Sequence, residues 1–368
     1  MRVLMLLTDG YGGHGGIALY NRDVLRALAQ IGSISRIDAV PRIAGPFSEP
    51  LPAKVRWRAE AARSAVAWVL TTLRLAIGLG RGDWVWCAHA NLLPLAALVS
   101  RVTGCGLLLA IYGTEAWRPF QRKGSIAPLR HVDRVLAISG VTADRFVAWS
   151  GFPRDRCSIV ANAIDTSRYQ DAPRDQALAA RYGLEGKRVV MIFGRMHPTE
   201  RQKGFDELLE ALPEILRRDP RVVALFAGDG DDRARLEARA AELGVAHAVR
   251  FTGGILEHEK AAHYRLADAF VLPARQEGFG FVHLEAMACG TPTVASIADG
   301  SIEAVAHGEL GGLLDPDDRE SIVTQTLAAL DRPRGVPEGL SRFSFDRFAS
   351  QVESLLCPDG TGPEGGCG

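Results

Sequence analysis

The chain has 368 residues, of which 47% are hydrophobic and 23% are charged. This composition is that of an ordinary globular protein, so it excludes a disordered or fibrous chain, and the length predicts two or three domains. The 43 basic residues equal the 43 acidic ones in number, and no nucleic acid is expected among the partners. The six cysteines lack the paired spacing of a zinc site or a disulfide framework, so neither is predicted.

Charge is distributed unevenly along the chain. Residues 1–175 carry 22 basic and 13 acidic side chains, whereas the remainder carries 21 and 30. A basic N-terminal half favours an anionic partner, such as a membrane surface or a phosphorylated acceptor, since a compositional bias of the genome would affect both halves alike. The apolar segment 65–79 follows several of these basic residues and is too short to span a bilayer. It predicts either an amphipathic helix on an anionic membrane or a buried core helix.

Short apolar strands alternate with longer helical patterns, as in parallel α/β sheets. The first strand begins at residue 2 and leads directly into a glycine loop, which predicts a cytoplasmic protein without a signal peptide, at most peripheral on the inner face of the cell membrane. In the first half we predict strands at 2–7, 37–40, 84–87, 107–111, 134–137 and 157–160. In the second half we predict strands at 188–193, 222–227, 249–252, 269–272 and 293–295.

The pattern is interrupted between residues 162 and 186, where polar residues surround Pro173. We therefore predict two Rossmann-like domains with doubly wound parallel sheets, at 1–170 and 180–340, facing a central cleft. A final helix at 345–357 is expected to pack where the chain leaves an apolar groove, which includes the first domain.

A glycine loop follows the first predicted strand and precedes a helix at 18–30. Five of the seven residues at 10–16 are glycine, which lets backbone amides approach a phosphate. The spacing is not G-x-G-x-x-G and no acidic residue ends the second strand, so an NAD-dependent dehydrogenase is disfavoured. A flexible loop without a ligand is the alternative, although so many glycines are costly in an ordinary turn.

The segment 275–292 predicts a helix that is preceded by a ligand-binding turn. Gly278 and Gly280 allow a diphosphate to approach the first turn of this helix, whose dipole attracts an anion. Glu277 and Glu285 flank the turn, and a carboxylate is a strong acceptor for vicinal hydroxyl groups. We therefore predict that Glu285 binds a ribose diol and that Glu277 binds a sugar hydroxyl. A solvated surface glutamate is the alternative for either residue taken alone.

Further candidate ligands follow other strands of the second half. Arg195 ends one strand and Lys203 precedes the next helix, so both are expected to converge on a diphosphate and to neutralise the charge of a departing nucleotide. Gly228 follows the next strand, and Ile255 and Leu256 follow the one after it. These backbone segments are expected to wall a flat nucleobase and to read it through main-chain groups.

Together these motifs resemble the signature of retaining nucleotide-sugar glycosyltransferases of family 4. Glu277 and Glu285 have the E-x7-E spacing of that family. The other family motifs occur in the same order: the N-terminal glycine loop, Gly194-Arg195, the run 200–204 and Gly228-Asp229-Gly230. The resemblance covers nearly the whole chain. It implies the GT-B fold, with the nucleotide sugar held mainly by the C-terminal domain and the acceptor mainly by the N-terminal one.

The resemblance also implies roles for individual residues. Arg195 and Lys203 would hold the diphosphate, Glu277 the donor sugar and Glu285 the ribose. Further donor contacts are expected from Gly15, Gly16, Gly228, Ile255, Leu256, Gly278, Phe279, Gly280 and Val282. The implied reaction retains the anomeric configuration, with the leaving diphosphate assisting the incoming hydroxyl. No metal or other cofactor is expected, because no D-x-D motif ends a strand and basic side chains with a helix N-terminus replace the ion.

On the acceptor side, the chain departs from the family pattern. Many relatives carry His-Gly where this chain has Tyr112 followed by glycine, so the acceptor-side candidates are Tyr112, Glu115, His14 and His89. A lone histidine is more often structural than catalytic. The Glu-Arg-x-Lys-Gly form of the lysine motif and the basic N-terminal half resemble bacterial enzymes that build surface polysaccharides. Such enzymes use acceptors linked to polyprenyl diphosphate or other lipids, and GDP-mannose is the expected donor.

Two other functions are compatible with the same motifs. A nucleotide-sugar epimerase would need a group that removes a proton from the sugar, and the sequence offers no such cluster beyond the residues already assigned. A non-catalytic nucleotide-sugar-binding protein would bind the donor without consuming it.

Overall fold

The computed structural model describes residues 1–13, 15–47, 49–120 and 126–356, and the chain divides into two compact units. The first unit comprises residues 1–163 and the chain from residue 345 onward, and the second comprises Ile164–Ser344. The sequence placed residues up to 170 in the first domain, whereas the structure assigns those from Ile164 onward to the second unit. The reason is local bonding, since the Ile164 amide donates to the Phe343 carbonyl at 2.9 Å.

The first unit contains a seven-stranded sheet in which every strand pair is parallel. Its strands are β1 Arg2–Leu7, β2 Arg36–Pro41, β3 Val55–Trp57, β4 Trp84–Cys87, β5 Gly106–Ile111, β6 Arg134–Ala137 and β7 Cys157–Ile159. Its helices are α1 Gly16–Gln30, α2 Ala65–Ala76, α3 Leu93–Thr103, α4 Gly140–Ser150 and α12 Phe345–Leu356. The strand order is β3-β2-β1-β4-β5-β6-β7.

The last helix, α12, packs on α1 and so completes the first unit. Phe348 is buried and meets the ring of Tyr20 edge-on, with 5.4 Å between ring centroids. The Arg26 guanidinium lies 4.3 Å from the ring centroid of Phe345. These contacts bury the apolar stripe of α12, which alone would be too short to persist in water.

The second unit contains a six-stranded parallel sheet. Its strands are β8 Arg188–Phe193, β9 Val222–Ala227, β10 Val249–Phe251, β11 Ala269–Leu272, β12 Thr293–Ser296 and β13 Gly312–Leu314. Its helices are α5 Gln176–Arg181, α6 Phe205–Arg218, α7 Arg233–Glu242, α8 Lys260–Leu266, α9 Phe281–Ala288, α10 Ser301–Ala304 and α11 Arg319–Leu330. The strand order is β10-β9-β8-β11-β12-β13.

Both sheets confirm the predicted α/β architecture with two Rossmann-like units. Each sheet is doubly wound, because the chain builds one half of the sheet outward from a central strand and then returns to build the other half. Within the described ranges, no helix is both long and apolar enough to cross a membrane.

Candidate active site

The candidate active site lies where the strand order of the second unit reverses. Strands β8 and β11 are neighbours, and the chain continues from them to opposite edges of the sheet. In open parallel sheets a ligand binds beyond the carboxyl ends of the strands at such a switch point. The loops that leave β8 and β11 carry Arg195, Lys203 and Glu277. The topology therefore brings together motifs that are about 80 residues apart in the sequence.

These two loops are joined by their backbones. The Arg275 amide donates to the Gln202 carbonyl at 2.9 Å. Gly204 has a φ of +89°, and a Cβ there would lie 2.6 Å from the carbonyl of Pro273. Only glycine allows this approach without strain. The contact fixes Lys203, which precedes Gly204, beside the loop after β11.

Lys203 forms an ion pair with Glu277 in which both side chains are mostly buried. Burial on its own lowers the pKa of Lys203, but the carboxylates of Glu277, Glu200 and Asp299 outweigh it, and the net effect is a raised pKa. Lys203 is therefore a cation at neutral pH. A fixed, partly desolvated cation at a switch point suits the stabilisation of charge on a leaving diphosphate.

Arg195 lies on the same loop as Lys203 but has a different environment. Its side chain is 67% exposed and pairs with Glu200. The hydrogen bond that Arg195 donates to the Glu200 carboxylate is the main cause of the raised pKa of Arg195. The two cations are thus held by different glutamates of the site, and their convergence on one diphosphate stays a prediction.

Glu285 is buried on α9 and is surrounded by donors that the sequence did not indicate. Tyr169 donates to Oε1 at 2.8 Å, Tyr264 donates to Oε2 at 2.7 Å, and Lys260 Nζ lies 3.9 Å from Oε1. Burial raises the pKa of Glu285, and Lys260 together with the two tyrosines opposes that effect only in part. Both carboxylate oxygens already accept a hydrogen bond and the side chain is only 4% exposed, so the predicted contact of Glu285 with a ribose diol stays a prediction.

A turn precedes α9 at the predicted place, and packing explains its glycine at position 280. Gly280 has a φ of +77°, and a Cβ there would lie 2.9 Å from Cδ2 of His283. His283 is fully buried with Nδ1 2.7 Å from Thr293 Oγ1, and burial lowers the pKa of its ring to about 3. Phe279 is buried against Phe343. Gly280 is also buried, whereas Gly278 and Val282 are half-buried, and a contact of this turn with a donor stays a prediction.

Gly228 lies where the loops after β8 and β9 touch. It has a φ of +114°, and a Cβ there would lie 2.1 Å from the Gly194 carbonyl oxygen. Beyond the next strand, Ile255 is half-buried and Leu256 is exposed. The Leu256 amide donates to Glu259 Oε2 at 3.1 Å, so in this structure that amide is occupied. The predicted reading of a nucleobase by these residues stays a prediction.

We expect Gly228→Ala to lower the free energy of unfolding by about 2–3 kcal/mol, because the new Cβ would overlap a backbone oxygen and the backbone would be strained. The matched control is Gly254→Ala on a neighbouring loop, where a Cβ would have no heavy atom within 4 Å. That change should stay within about 0.5 kcal/mol of the wild type. Urea unfolding of the three proteins measures both effects, and equal midpoints for the two variants would contradict the prediction.

The first unit has a second switch point, between β1 and β4. The glycine loop follows β1, and Gly15 caps α1 with a φ of +94° while Gly16 begins the helix. Gly12 is needed for packing, since a Cβ there would lie 2.3 Å from the Gly45 carbonyl oxygen. His14, predicted as an acceptor-side candidate, lies outside the described residues.

The other acceptor-side candidates all have structural partners. His89 follows β4 and accepts the Asn91 amide on Nδ1 at 3.0 Å, and burial lowers its pKa. Tyr112 is buried, and its hydroxyl donates to Asn21 Oδ1 at 2.8 Å. Glu115 accepts the Tyr112 amide, and burial raises its pKa. All three stabilise the loops at the carboxyl edge of this sheet, and a role toward an acceptor stays a prediction.

Two family profiles match the chain in succession. The profile described as "Glycosyltransferase Family 4" matches residues 14–168, and the one described as "Glycosyl transferases group 1" matches residues 176–341. The GDP-mannose-dependent alpha-(1-6)-phosphatidylinositol monomannoside mannosyltransferase of Mycolicibacterium smegmatis is 34% identical over 278 residues, covering 72% of each chain. D-inositol 3-phosphate glycosyltransferase 1 of Catenulispora acidiphila is 28% identical, covering 99% of this chain and 94% of its own.

Solved structures agree on the fold. Anabaena Alr3699/HepE in complex with UDP is 21% identical, covers 97% of this chain and 95% of its own, and superposes with a TM-score of 0.70. The apo form of the lipopolysaccharide outer core galactosyltransferase WaaB is 16% identical, covers 97% of this chain and 99% of its own, and has a TM-score of 0.73. The chain belongs to family 4 of the glycosyltransferases, and it is a hexosyltransferase of the GT-B fold.

Proposed function

We propose that this enzyme transfers mannose from GDP-mannose to a hydroxyl group of a glycan or lipid-linked acceptor, with retention of the anomeric configuration. The observation that carries the proposal is the Lys203–Glu277 pair at the switch point of the second unit. In this pair Lys203 supplies a cation that would bind the diphosphate, and Glu277 supplies a carboxylate that would bind the sugar. The GDP-mannose-dependent relative at 34% identity supports the choice of base and sugar.

The proposed chemistry relies on positioning and charge. Lys203, with Arg195 on the same loop, would stabilise negative charge as the bond between the sugar and the diphosphate breaks. Glu277 would accept hydrogen bonds from donor-sugar hydroxyls, and Glu285 would accept those of the ribose. The departing diphosphate would take the proton of the incoming acceptor hydroxyl on the same face, which accounts for retention. No metal is included in the proposal.

A donor screen tests the proposal. Thermal shift with GDP-mannose, UDP-glucose and ADP-glucose should show the largest stabilisation for the GDP sugar, because tight binding favours the folded state by mass action. Transfer is then measured with a polyprenyl-diphosphate-linked glycan and with a phosphatidylinositol mannoside as acceptors. Isomerisation of the nucleotide sugar without an acceptor would support an epimerase instead. Binding without any consumption of donor would support a non-catalytic protein.

We further propose that the enzyme acts at an anionic membrane through α2 and α3. Helix α2 buries Trp68, Thr72 and Ala76 against the sheet, as expected for a core helix. Its other face is apolar and exposed. Of the 14 exposed large hydrophobic residues in the described ranges, seven lie at these two helices: Val66, Val69, Leu70, Leu73, Ile77, Leu98 and Val102. Such a concentration is unusual for a face that meets only water.

The charges around this apolar face favour a bilayer over another protein surface. Arg63, Arg74 and Arg101 are exposed on or beside the two helices, and neither helix contains an acidic residue. Apolar side chains beside arginines suit insertion at an anionic lipid interface. Docking there would give the enzyme access to a lipid-linked acceptor.

We expect the double variant Leu70→Ser, Ile77→Ser to bind vesicles of phosphatidylglycerol and phosphatidylcholine at least about tenfold more weakly than the wild type, since two inserted side chains are lost. Co-sedimentation measures the binding, and wild-type binding should weaken on pure phosphatidylcholine. The matched control is Ile126→Ser, Val336→Ser, which removes two exposed apolar residues elsewhere. Unchanged binding by the α2 variant, or equal loss in the control, would refute the docking surface.

A further inference from the structure

Asp299, which no sequence motif indicated, holds the backbone of Glu277. It follows β12 and is fully buried. Its Oδ2 accepts the Glu277 amide at 2.8 Å. Its Oδ1 accepts the Ser301 amide at 3.0 Å and the Ser301 hydroxyl at 2.6 Å. Both carboxylate oxygens are therefore occupied by donors.

The neighbouring residue completes the contact. The Gly300 amide donates to the Glu277 carbonyl at 2.9 Å. Both backbone polar groups of Glu277 are thus bound by two consecutive residues of the loop after β12. This arrangement, which we call the Glu277 clamp, fixes the backbone from which the Glu277 side chain reaches Lys203.

The clamp also places a third carboxylate near Lys203. Asp299 joins Glu277 and Glu200 in raising the pKa of Lys203. The charged groups that face Asp299 are Glu277 from the loop after β11 and Lys203 from the turn before α6. Asp299 is fully buried, and its carboxylate binds Glu277 and Ser301.

We propose that Asp299 is a positioning residue for hexosyl transfer, and that the reaction requires its ionised form to hold Glu277. The inference rests on the proposed role of Glu277 toward the donor sugar. A proton added to Asp299 has no free acceptor, because both oxygens face donors. Ser301 Oγ can accept it only by turning its own proton toward the Ser296 carbonyl, which is 3.4 Å away.

A pH dependence follows from this geometry. Burial raises the pKa of Asp299 to about 6, and the bonds from Ser301 and Glu277 oppose the rise. The clamp is complete above that pH and is lost as the pH falls through it. The effect on folding runs in the other direction. Because the folded state holds this proton more tightly than the unfolded state does, protonation of Asp299 increases the free energy of unfolding as the pH falls. Loss of transfer below pH 6 is therefore expected without loss of folding from this group.

The test compares kcat and KM between pH 5 and pH 9 for the wild type and three variants. We expect Asp299→Asn to lower kcat about tenfold or more at pH 8, because small misplacements of a reacting group are costly. The variant should also lose the fall in kcat below pH 6, which we call the acid limb of the pH profile. Ser301→Ala should keep most of the activity but move the acid limb to higher pH, because it removes a bond that lowers the Asp299 pKa. Melting temperatures show whether each variant is folded.

Asp318→Asn is the matched control. Asp318 caps α11 by accepting the Glu320 amide at 2.9 Å, two residues on, as Asp299 accepts that of Ser301, but it does not contact Glu277. Its kcat and its acid limb should match those of the wild type. An unchanged pH profile in both Asp299→Asn and Ser301→Ala would refute the positioning role. Failure of the wild type to transfer from any nucleotide sugar would refute the proposed function instead.

Discussion

Replacing Lys203 with alanine is expected to lower kcat for hexosyl transfer by about 10²–10³, with a smaller change in the KM for the donor. The charge on the diphosphate grows as the glycosidic bond breaks, so a fixed cation stabilises the transition state more than the bound substrate. Lys203 is mostly buried and held by Glu277, and its raised pKa keeps it charged throughout the neutral range. Initial rates at saturating acceptor measure the effect.

Lys187→Ala is the matched control for this change. Lys187 is exposed and immediately precedes β8, at the end of that strand opposite the site. It should leave kcat and KM unchanged. Lys203→Arg keeps the charge but not the shape of the side chain, so its kcat should lie between those of the wild type and Lys203→Ala. Wild-type turnover in Lys203→Ala would show that Lys203 takes no part in the chemistry, and it would contradict the proposed donor site.

The strands that the sequence predicted best are the ones buried on both faces. For β9, Val222–Ala227, every residue is buried and the predicted limits are correct, because a continuous apolar run bounded by turns is typical of a central parallel strand. The sequence missed β3 and β13, which have three residues each. The first alternates with arginine and the second begins with glycine, so neither produces a sufficient apolar run.

Bringing the site motifs together needed only the topology of the sheet. Once β8 and β11 are parallel strands, the loops that carry Lys203 and Glu277 must leave the same edge, so their proximity was predictable. The partners that hold Glu277 and Glu285 could not be predicted from the sequence. Tyr169 reaches Glu285 across 116 residues, and Asp299 reaches Glu277 across 22. Both bonds come from loops without periodicity or a motif, so only the folded chain reveals them.

Helix α2 shows how one pattern supports two predictions. Apolar residues cover most of its circumference, which predicted either a core helix or a helix on a membrane. One face of α2 is buried, and there Trp68 donates to the Val40 carbonyl at 3.1 Å. The opposite face is exposed and carries Leu70 and Ile77. A 12-residue helix that is apolar over most of its circumference has to expose apolar side chains when the sheet covers only one of its faces.

Changing Glu277 to glutamine is expected to lower kcat by about 10²–10³, comparable to the loss from removing Lys203. Glutamine has nearly the same shape, so the Glu277 clamp through the backbone should survive. The variant loses the charge that strengthens hydrogen bonds from sugar hydroxyls, and it leaves the Lys203 ammonium without its partner. Initial rates with GDP-mannose measure the effect.

A double-mutant cycle shows whether Glu277 and Lys203 act together. If the pair works as one unit, the combined variant Lys203→Ala, Glu277→Gln should be only slightly slower than either single variant, because residues that act as a unit are not additive. Glu309→Gln is the matched control, since Glu309 is an exposed glutamate in the same unit that pairs with Arg342 away from the site. Fully additive losses would mean that the two residues act independently. Wild-type turnover in Glu277→Gln would exclude a role for the carboxylate charge, and the ion pair would then serve only to hold the two loops together.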